Sequence, residues 1–144
     1  MKDKTVIITG AARGLGQKYT IEFAKLGSNV VFADISSCDE TEDKIKKITS
    51  NYLNLDLDVT NFNSCLKLAD NAKSKFKSID VLINNAALYG ALKSSRFEDI
   101  DEDQWDKAMN VNVKVVRNCI GAVIPCMREH RSGSILSIAS LAAL

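Results

Sequence analysis

A cluster of glycines near the amino terminus is the first feature of the sequence that could bind a ligand. It spans Thr9–Gly16, reads TGAARGLG and follows a short apolar segment. Glycines let the backbone turn tightly and approach a ligand, and a helix that begins here offers free N–H groups to a pyrophosphate. The cluster lacks the Gly-Lys-Ser/Thr ending of a nucleoside triphosphatase loop. It therefore predicts a dinucleotide site, with a glycine-rich turn without a ligand as the alternative. The candidate cofactor contacts are Thr9, Gly10, Arg13, Gly14, Leu15 and Gly16.

A carboxylate at the end of the next apolar segment bears on which dinucleotide would bind. Asp34 lies 18 residues beyond Gly16, where it can accept hydrogen bonds from both hydroxyls of an adenosine ribose. Its charge would repel the 2′-phosphate of NADP by about 1–4 kcal/mol at a surface-like dielectric. Arg13 would offset only part of that repulsion. The sequence therefore favours NAD over NADP, and an ordinary strand-end aspartate is the alternative.

Small or polar residues also follow three later apolar segments. In chain order they are Asp56 and Asp58, then Asn84 and Asn85, then Ser137 and Ser140. In open α/β sheets, ligands bind beyond the carboxyl ends of the strands. Surface loops are polar in any case, so the order and identity of these residues together carry the prediction of one shared site.

The elements that would position these residues alternate along the chain. Short apolar runs predict strands at Thr5–Thr9, Asn29–Ala33, Tyr52–Leu55, Val81–Ile83 and Ser134–Ser137. Helical spacing after the glycine cluster predicts a helix with Leu15, Tyr19, Phe23 and Leu26 on one side. Further helices are predicted at Asp39–Ile48, at Asn61–Phe76 and at Asp103–Arg128, the last bent or ended by Pro125. The apolar stripe of this last helix consists of Trp105, Ala108, Met109, Val116, Cys119, Val123 and Met127. The alternation predicts an α/β fold: a doubly wound parallel sheet of about five strands with right-handed crossovers.

Composition narrows the class of protein. The 144 residues suit one domain, and a net charge of +1 gives no electrostatic reason to expect nucleic acid or a membrane as partner. The four cysteines form no C-x-x-C pair and the sequence has one histidine, so the usual zinc spacings are absent. No signal peptide fits before the first strand, and no uncharged stretch reaches the length of a membrane span. We expect a soluble, cytoplasmic protein with reduced thiols.

The motifs, taken in order, resemble those of the short-chain dehydrogenases/reductases. They are the Thr9–Gly16 cluster, Asp58-Val59, the NNAA sequence at 84–87, the VNV sequence at 111–113 and the segment around Ser140. The resemblance covers essentially the whole chain. It implies a Rossmann-type fold, here lacking its carboxyl-terminal side, and hydride transfer between a nicotinamide cofactor and an alcohol/carbonyl pair. A signalling receiver domain would share the fold class but not these motifs.

The resemblance also implies contacts for the remaining binding residues. Asp58 and Val59 would contact adenine, and Asn85, Ala86 and Ala87 would line the cofactor's ribose. Ala87 departs from the glycine that is usual in the family at this position.

Two residues are candidates for the catalytic machinery. Asn112 falls on the apolar stripe of the last predicted helix, where an unpaired amide would cost about 1–3 kcal/mol, so a partner is expected. The resemblance implies that it helps to hold a water chain to a catalytic lysine; a core asparagine bonded to nearby backbone is the alternative. Ser140 matches the family's catalytic serine, which donates a hydrogen bond to the substrate oxygen, or is an ordinary strand-end hydroxyl.

The family's acid/base pair, Tyr-x-x-x-Lys, has no counterpart after Ser140. Tyr89 and Lys93 have the spacing, but they follow the NNAA sequence, so we interpret the match as coincidence. We therefore expect the amino-terminal part of an NAD-dependent short-chain dehydrogenase/reductase, inactive as an isolated chain, or a truncated, catalytically silent module that binds NAD or a partner. The resemblance implies a homo-oligomer for a full-length form. It implies an alcohol or a ketone as the substrate and does not identify the compound.

Overall fold

The computed structural model describes residues 1–88 and 95–139. In chain order its elements are β1 (Thr5–Thr9), α1 (Gly14–Lys25), β2 (Asn29–Asp34), α2 (Asp39–Ile45), β3 (Tyr52–Asp56), α3 (Phe62–Phe76), β4 (Val81–Asn84), a 3₁₀ turn (Phe97–Asp99), α4 (Glu102–Met109), a π-helical turn (Asn110–Lys114), α5 (Val115–Glu129) and β5 (Ser134–Ser137). All five predicted strands are present, and β2, β3 and β4 each extend one residue further than predicted.

The strands form one parallel sheet in the order β3-β2-β1-β4-β5. In β1, Ile7 pairs with Val31 of β2 on one side and with Leu82 of β4 on the other. The chain builds the sheet outward from β1 in one direction and then returns to build it in the other. This confirms the predicted doubly wound α/β class and opens a crevice beyond β1 and β4, where ligands bind in such sheets.

Helices cover both faces of the sheet because alternate strand residues point to opposite sides. Val6 and Ile8 lie in a core cluster that includes residues of α1 and α2. Ile7 lies in a second cluster with residues of α3 and α5. All five residues of β1 are buried, so the first strand is the shared centre of both cores.

Helix α1 packs through a different face from the one predicted. The sequence predicted an apolar side of Leu15, Tyr19, Phe23 and Leu26. Leu15 and Leu26 are instead 59% and 56% exposed, and the buried residues of α1 are Gly16, Thr20 and Ala24. Small side chains at this spacing bring the helix backbone close to the sheet, which larger residues would prevent. Tyr19 and Phe23 pack at the margin of that contact.

The last predicted helix is divided by the π-helical turn at Asn110–Lys114. Before the turn, α4 buries none of its residues, and Trp105 is 49% exposed. After it, α5 buries much of the predicted stripe, and Pro125 lies in its last turns. A π turn accommodates more residues per turn than an α-helix, so it changes which residues face the core. None of the helices in the described ranges is long and apolar enough to span a membrane.

Candidate functional site

The glycine loop between β1 and α1 fits tightly against the loop after β4. Gly10 has a φ of +69°, and a Cβ added to it would lie 2.7 Å from the Cα of Ala86. A Cβ on Gly16 would collide with the carbonyl oxygen of Gly10 and lie 2.7 Å from Asn85 Nδ2. Two of the predicted glycines are therefore required by contacts within the protein.

The third glycine has open space beside it. Gly14 has a φ of +60°, and a Cβ there would meet nothing within 4 Å. Arg13, which precedes α1, makes no side-chain capping hydrogen bond, and the first turn carries no acidic residue. The first N–H groups of a helix lack partners within it and carry partial positive charge. Arg13, Gly14 and Leu15 are exposed, so this end of α1 is free to receive an anion.

Asp34 is held beside this loop by both of its carboxylate oxygens. Its Oδ2 accepts a hydrogen bond from the Ala12 N–H at 3.0 Å, and its Oδ1 accepts one from the Ser36 N–H at 3.0 Å. The side chain is only partly buried. A carboxylate has about four lone-pair sites, so Asp34 can still accept hydrogen bonds from ligand hydroxyls.

The loop after β3 lies next to Asp34. The Leu57 N–H donates to the Asp34 carbonyl at 2.9 Å. Asp58 Oδ1 accepts from the Thr60 N–H at 2.9 Å and from the Thr60 hydroxyl at 2.7 Å. Its Oδ2 has no hydrogen-bond partner among residues 1–88 and 95–139. Val59 is buried in the core, so it anchors the loop while Asp58 keeps one oxygen available.

Thr9 joins the glycine loop to the loop after β4. Its hydroxyl accepts from the N–H groups of Asn85 and Ala86, both at 3.1 Å, and donates to the Ile83 carbonyl at 3.4 Å. Asn85 Nδ2 returns hydrogen bonds to the carbonyls of Thr9 at 3.0 Å and Gly10 at 3.1 Å. Ala87, beyond this junction, is exposed. The structure thus brings the predicted residues after β1 and β4 into direct contact.

Asn112 has a partner, as expected, but it is not buried. It lies in the π-helical turn and is exposed. Its Oδ1 accepts from the Leu88 N–H at 2.8 Å, and its Nδ2 donates to the Leu88 carbonyl at 3.0 Å. Trp105 and Met109, which precede Asn112 on the same predicted stripe, are exposed as well, so the prediction of a core position was wrong. The amide fixes the loop after β4 by pairing with its backbone.

Three predicted positions cannot be placed beside this site. Ser140 lies outside the described residues, and so do Tyr89 and Lys93. Ser137 is a strand residue as predicted, and its hydroxyl accepts from Asn84 Nδ2 at 3.4 Å. Asn84 Oδ1 is buried without a partner among the described residues, at the end of the strand that borders the crevice.

One polar residue next to the site was missed by the sequence analysis. Asn118, on α5, is 2% exposed, and its Nδ2 donates to the carbonyls of Val59 at 3.1 Å and Thr60 at 3.2 Å. The sequence signal that could have identified it is its place between Val115 and Cys119, which both face the core. An amide in that position requires a partner.

The cysteines are all buried and free of disulfides. Burial, followed by the charge of Asp34, raises the pKa of Cys38 to about 11. The hydrogen bond shared with Cys65, together with burial, raises the pKa of Cys119. Their thiol groups lie 3.8 Å apart, between α3 and α5. The raised pKa values favour neutral thiols at Cys38 and Cys119, and neutral thiols do not act as nucleophiles.

The chain is similar in sequence to known proteins. The family model described as short chain dehydrogenase matches residues 4–144. The curated short chain dehydrogenase/reductase dpfgG of Gibberella zeae is 34% identical, over 97% of this chain and 52% of that protein. The chain spans about half the length of the curated relatives that it matches.

Two solved structures share the fold. A putative short-chain alcohol dehydrogenase from Sinorhizobium meliloti superposes with a TM-score of 0.90 at 26% identity, over 99% of this chain and 56% of that one. Carveol dehydrogenase from Mycobacterium avium, solved in complex with NAD, superposes with a TM-score of 0.91 at 22% identity, over 98% of this chain and 56% of that one. At that identity the second likeness bears on the fold alone.

Proposed function

The chain belongs to the short-chain dehydrogenase family of oxidoreductases, and on that basis we propose that residues 1–144 form a dinucleotide-binding domain that takes NAD in preference to NADP. The observation that carries the proposal is the hydrogen bond from the Ala12 N–H to Asp34 Oδ2 at 3.0 Å. It sets a ribose-binding carboxylate directly beside the open amino-terminal end of α1. Pyrophosphate and adenosine ribose are adjacent in NAD, so the two features match two adjacent parts of one ligand.

The residues of the site fit such a ligand part by part. The open space beside Gly14 and the N–H groups of the first turn of α1 would receive the pyrophosphate, with Arg13 and Leu15 at its edge. Gly10 and Gly16 let the loop, α1 and the Asn85 side chain approach one another closely. Asp34 would accept hydrogen bonds from the ribose hydroxyls.

Other residues would bind the two ends of the cofactor. The free Oδ2 of Asp58 and the backbone at Val59 would face adenine. Asn85, Ala86 and Ala87 would line the cofactor's ribose, and Thr9 fixes the backbone of Asn85 and Ala86. Bound NAD supplies a hydride acceptor for an alcohol, and its reduced form supplies a hydride for a carbonyl. By resemblance to the family, we assign to Ser140 the hydrogen bond to the substrate oxygen. On the same ground, we assign to Asn112 a role in holding the water chain that leads to a catalytic lysine.

For the polypeptide of residues 1–144 as such, we propose binding without turnover. Its three tyrosines are Tyr19, Tyr52 and Tyr89, and none follows Ser140 to act as the acid/base. Oxidation of secondary alcohols by this polypeptide with NAD, at rates ordinary for the family, would contradict the assignment.

A charge placed beside Gly14 tests the pyrophosphate site. Gly14→Asp and Gly14→Asn have nearly equal volume, and both residues tolerate a positive φ. The aspartate would oppose the pyrophosphate by several kcal/mol (about 4 at a separation of 4 Å and an effective dielectric of 20). In calorimetric titration we expect NAD binding by the unmodified chain, weaker binding in Gly14→Asn, whose side chain enters the same space, and loss in Gly14→Asp. Equal affinity in the two variants would contradict the proposed site.

A further inference from the structure

The buried amide of Asn118 is bonded to the loop after β3. Asn118 is 2% exposed on α5, and its Nδ2 lies 3.1 Å from the carbonyl oxygen of Val59 and 3.2 Å from that of Thr60. A side-chain amide has two N–H donors, so both carbonyls can be bonded at once. The adjoining core residues Val115 and Cys119 are buried and bring no comparable polar group to the loop. Through this amide, α5 holds two consecutive peptide units of the loop.

Thr60 passes this restraint on to Asp58. Both the N–H and the hydroxyl of Thr60 donate to Asp58 Oδ1, at 2.9 and 2.7 Å. The direction in which Asp58 Oδ2 points is therefore set by Thr60. The carbonyl of Thr60 is in turn bonded to Asn118. Three residues from two elements thus form one continuous path of hydrogen bonds that ends at a carboxylate oxygen free to bind a ligand.

We propose that Asn118 is a positioning residue for the adenine end of the dinucleotide, acting through Thr60 on the Asp58 carboxylate. The inference rests on the proposed function, in which Asp58 and Val59 face adenine. Asn118 is too deeply buried to touch the ligand, so it acts by fixing the direction of Asp58 Oδ2. That oxygen would accept a hydrogen bond from the exocyclic amino group of adenine. Hypoxanthine carries a carbonyl oxygen at that position, which a carboxylate cannot bond.

The test compares NAD with nicotinamide hypoxanthine dinucleotide, which differ in that one group. For the unmodified chain, calorimetry should show tighter binding of NAD by about fivefold or more, since one hydrogen bond to a charged acceptor is lost. Asn118→Leu keeps the number and branching of the side-chain heavy atoms, at a larger volume, and has no donors. We expect it to reduce the preference for NAD by about two- to tenfold.

A control on the same helix separates positioning from stability. Val123 is 1% exposed on α5 and lies in the core cluster behind the sheet. Val123→Ala removes core volume without removing a donor to the loop, so it should lower stability and leave the preference for NAD unchanged. All affinities are measured at a temperature where each variant is shown to be folded.

A second pair of variants tests the path if Asn118→Leu does not fold. Thr60→Val removes the hydroxyl that donates to Asp58 Oδ1 and keeps the N–H, and it should also lower the preference. Thr60→Ser keeps the hydroxyl and should retain it. An unchanged preference in Thr60→Val, or in folded Asn118→Leu, overturns the inference, as does an equal loss in Val123→Ala. An unmodified chain that binds NAD without preferring it overturns the inference alone, whereas no NAD binding at all overturns the proposed function itself.

Discussion

Replacing Asp34 with alanine should change which nicotinamide dinucleotide the chain prefers. The substitution removes two separate things. One is the pair of hydrogen bonds by which the carboxylate holds the N–H groups of Ala12 and Ser36. The other is the acceptor for the two hydroxyls of the adenosine ribose. The first loss affects NAD and NADP equally, and the second weakens NAD more, because NADP has only the 3′-hydroxyl at this ribose.

The size of the change in preference follows from the second loss. A hydrogen bond to a charged acceptor contributes about 1.5–3 kcal/mol, so NAD should bind about ten- to a hundredfold more weakly. NADP has no 2′-hydroxyl bond to lose and is relieved of about 1–4 kcal/mol of repulsion between the carboxylate and its 2′-phosphate. The ratio of the two dissociation constants should therefore move toward NADP by about tenfold at least. Because Asp34 is partly buried, the lower part of each range applies.

Calorimetric titration with each dinucleotide measures both constants directly. Asp56 provides the matched control, because it is paired with Asp34 in register at the end of β3 but is exposed. Asp56→Ala removes an equal charge from the same edge of the sheet and should leave the ratio nearly unchanged. Equal weakening of NAD and NADP in Asp34→Ala, or the same shift in Asp56→Ala, would refute the assignment of the ribose to Asp34.

Three further outcomes are expected from the rest of the structure. Gly16→Ala should destabilise the fold by about 1–3 kcal/mol, because its methyl group would overlap the carbonyl of Gly10; an unchanged midpoint in urea would contradict that close approach. Burial opposes ionisation of Asp80, but hydrogen bonds led by that from Lys4 hold its pKa below the ordinary value. The contribution of ionised Asp80 to the free energy of unfolding is thus present above about pH 4 and is lost as the pH falls through the lowered pKa. In Asp80→Asn the free energy of unfolding should therefore depend less on pH in this acid range. Since burial raises the pKa of Cys38 to about 11, a disulfide reagent at about pH 8 should modify it far more slowly in the folded than in the urea-unfolded chain, and equal rates would contradict its burial.

The strands and the polar residues at their ends were predictable because of how a parallel sheet is covered. Strands that are buried on both faces appear as short apolar runs, and the segment at Val30–Ala33 is uniformly buried. The residue that ends such a run must then meet solvent or a ligand. Asp34 and Asn85 were found in this way, and the structure places both against the glycine loop.

The packing of α1 could not be predicted from the distribution of apolar residues. Its contact with the sheet depends on how near two backbones come, and a helix residue as small as Gly16 contributes nothing to a hydrophobic pattern. Leu15 and Leu26 contribute most to the pattern and are largely exposed. Close approach is a property of pairs of residues distant in sequence, which one segment does not reveal.

The two asparagines of the last helical region were misjudged for a related reason. A continuous helical period places Asn112 on the stripe, but this part of the stripe is exposed, as Trp105 and Met109 also are. Asn118 lies beyond the turn and is the buried one. The partners of both are backbone groups on distant loops, and backbone groups carry no sequence signal.

The central position of β1 also bears on how the site assembles as the chain is synthesised. The chain emerges from the ribosome amino terminus first, so β2 can align with β1 after a single helix. The opposite edge of β1 acquires its neighbour, β4, only after β3 and α3 have also been made. The hydroxyl of Thr9 finds its partners at Asn85 and Ala86 at that same moment. Completion of the proposed cofactor site would therefore coincide with closure of the sheet, and a nascent chain would gain affinity for the cofactor late, when its two halves first meet.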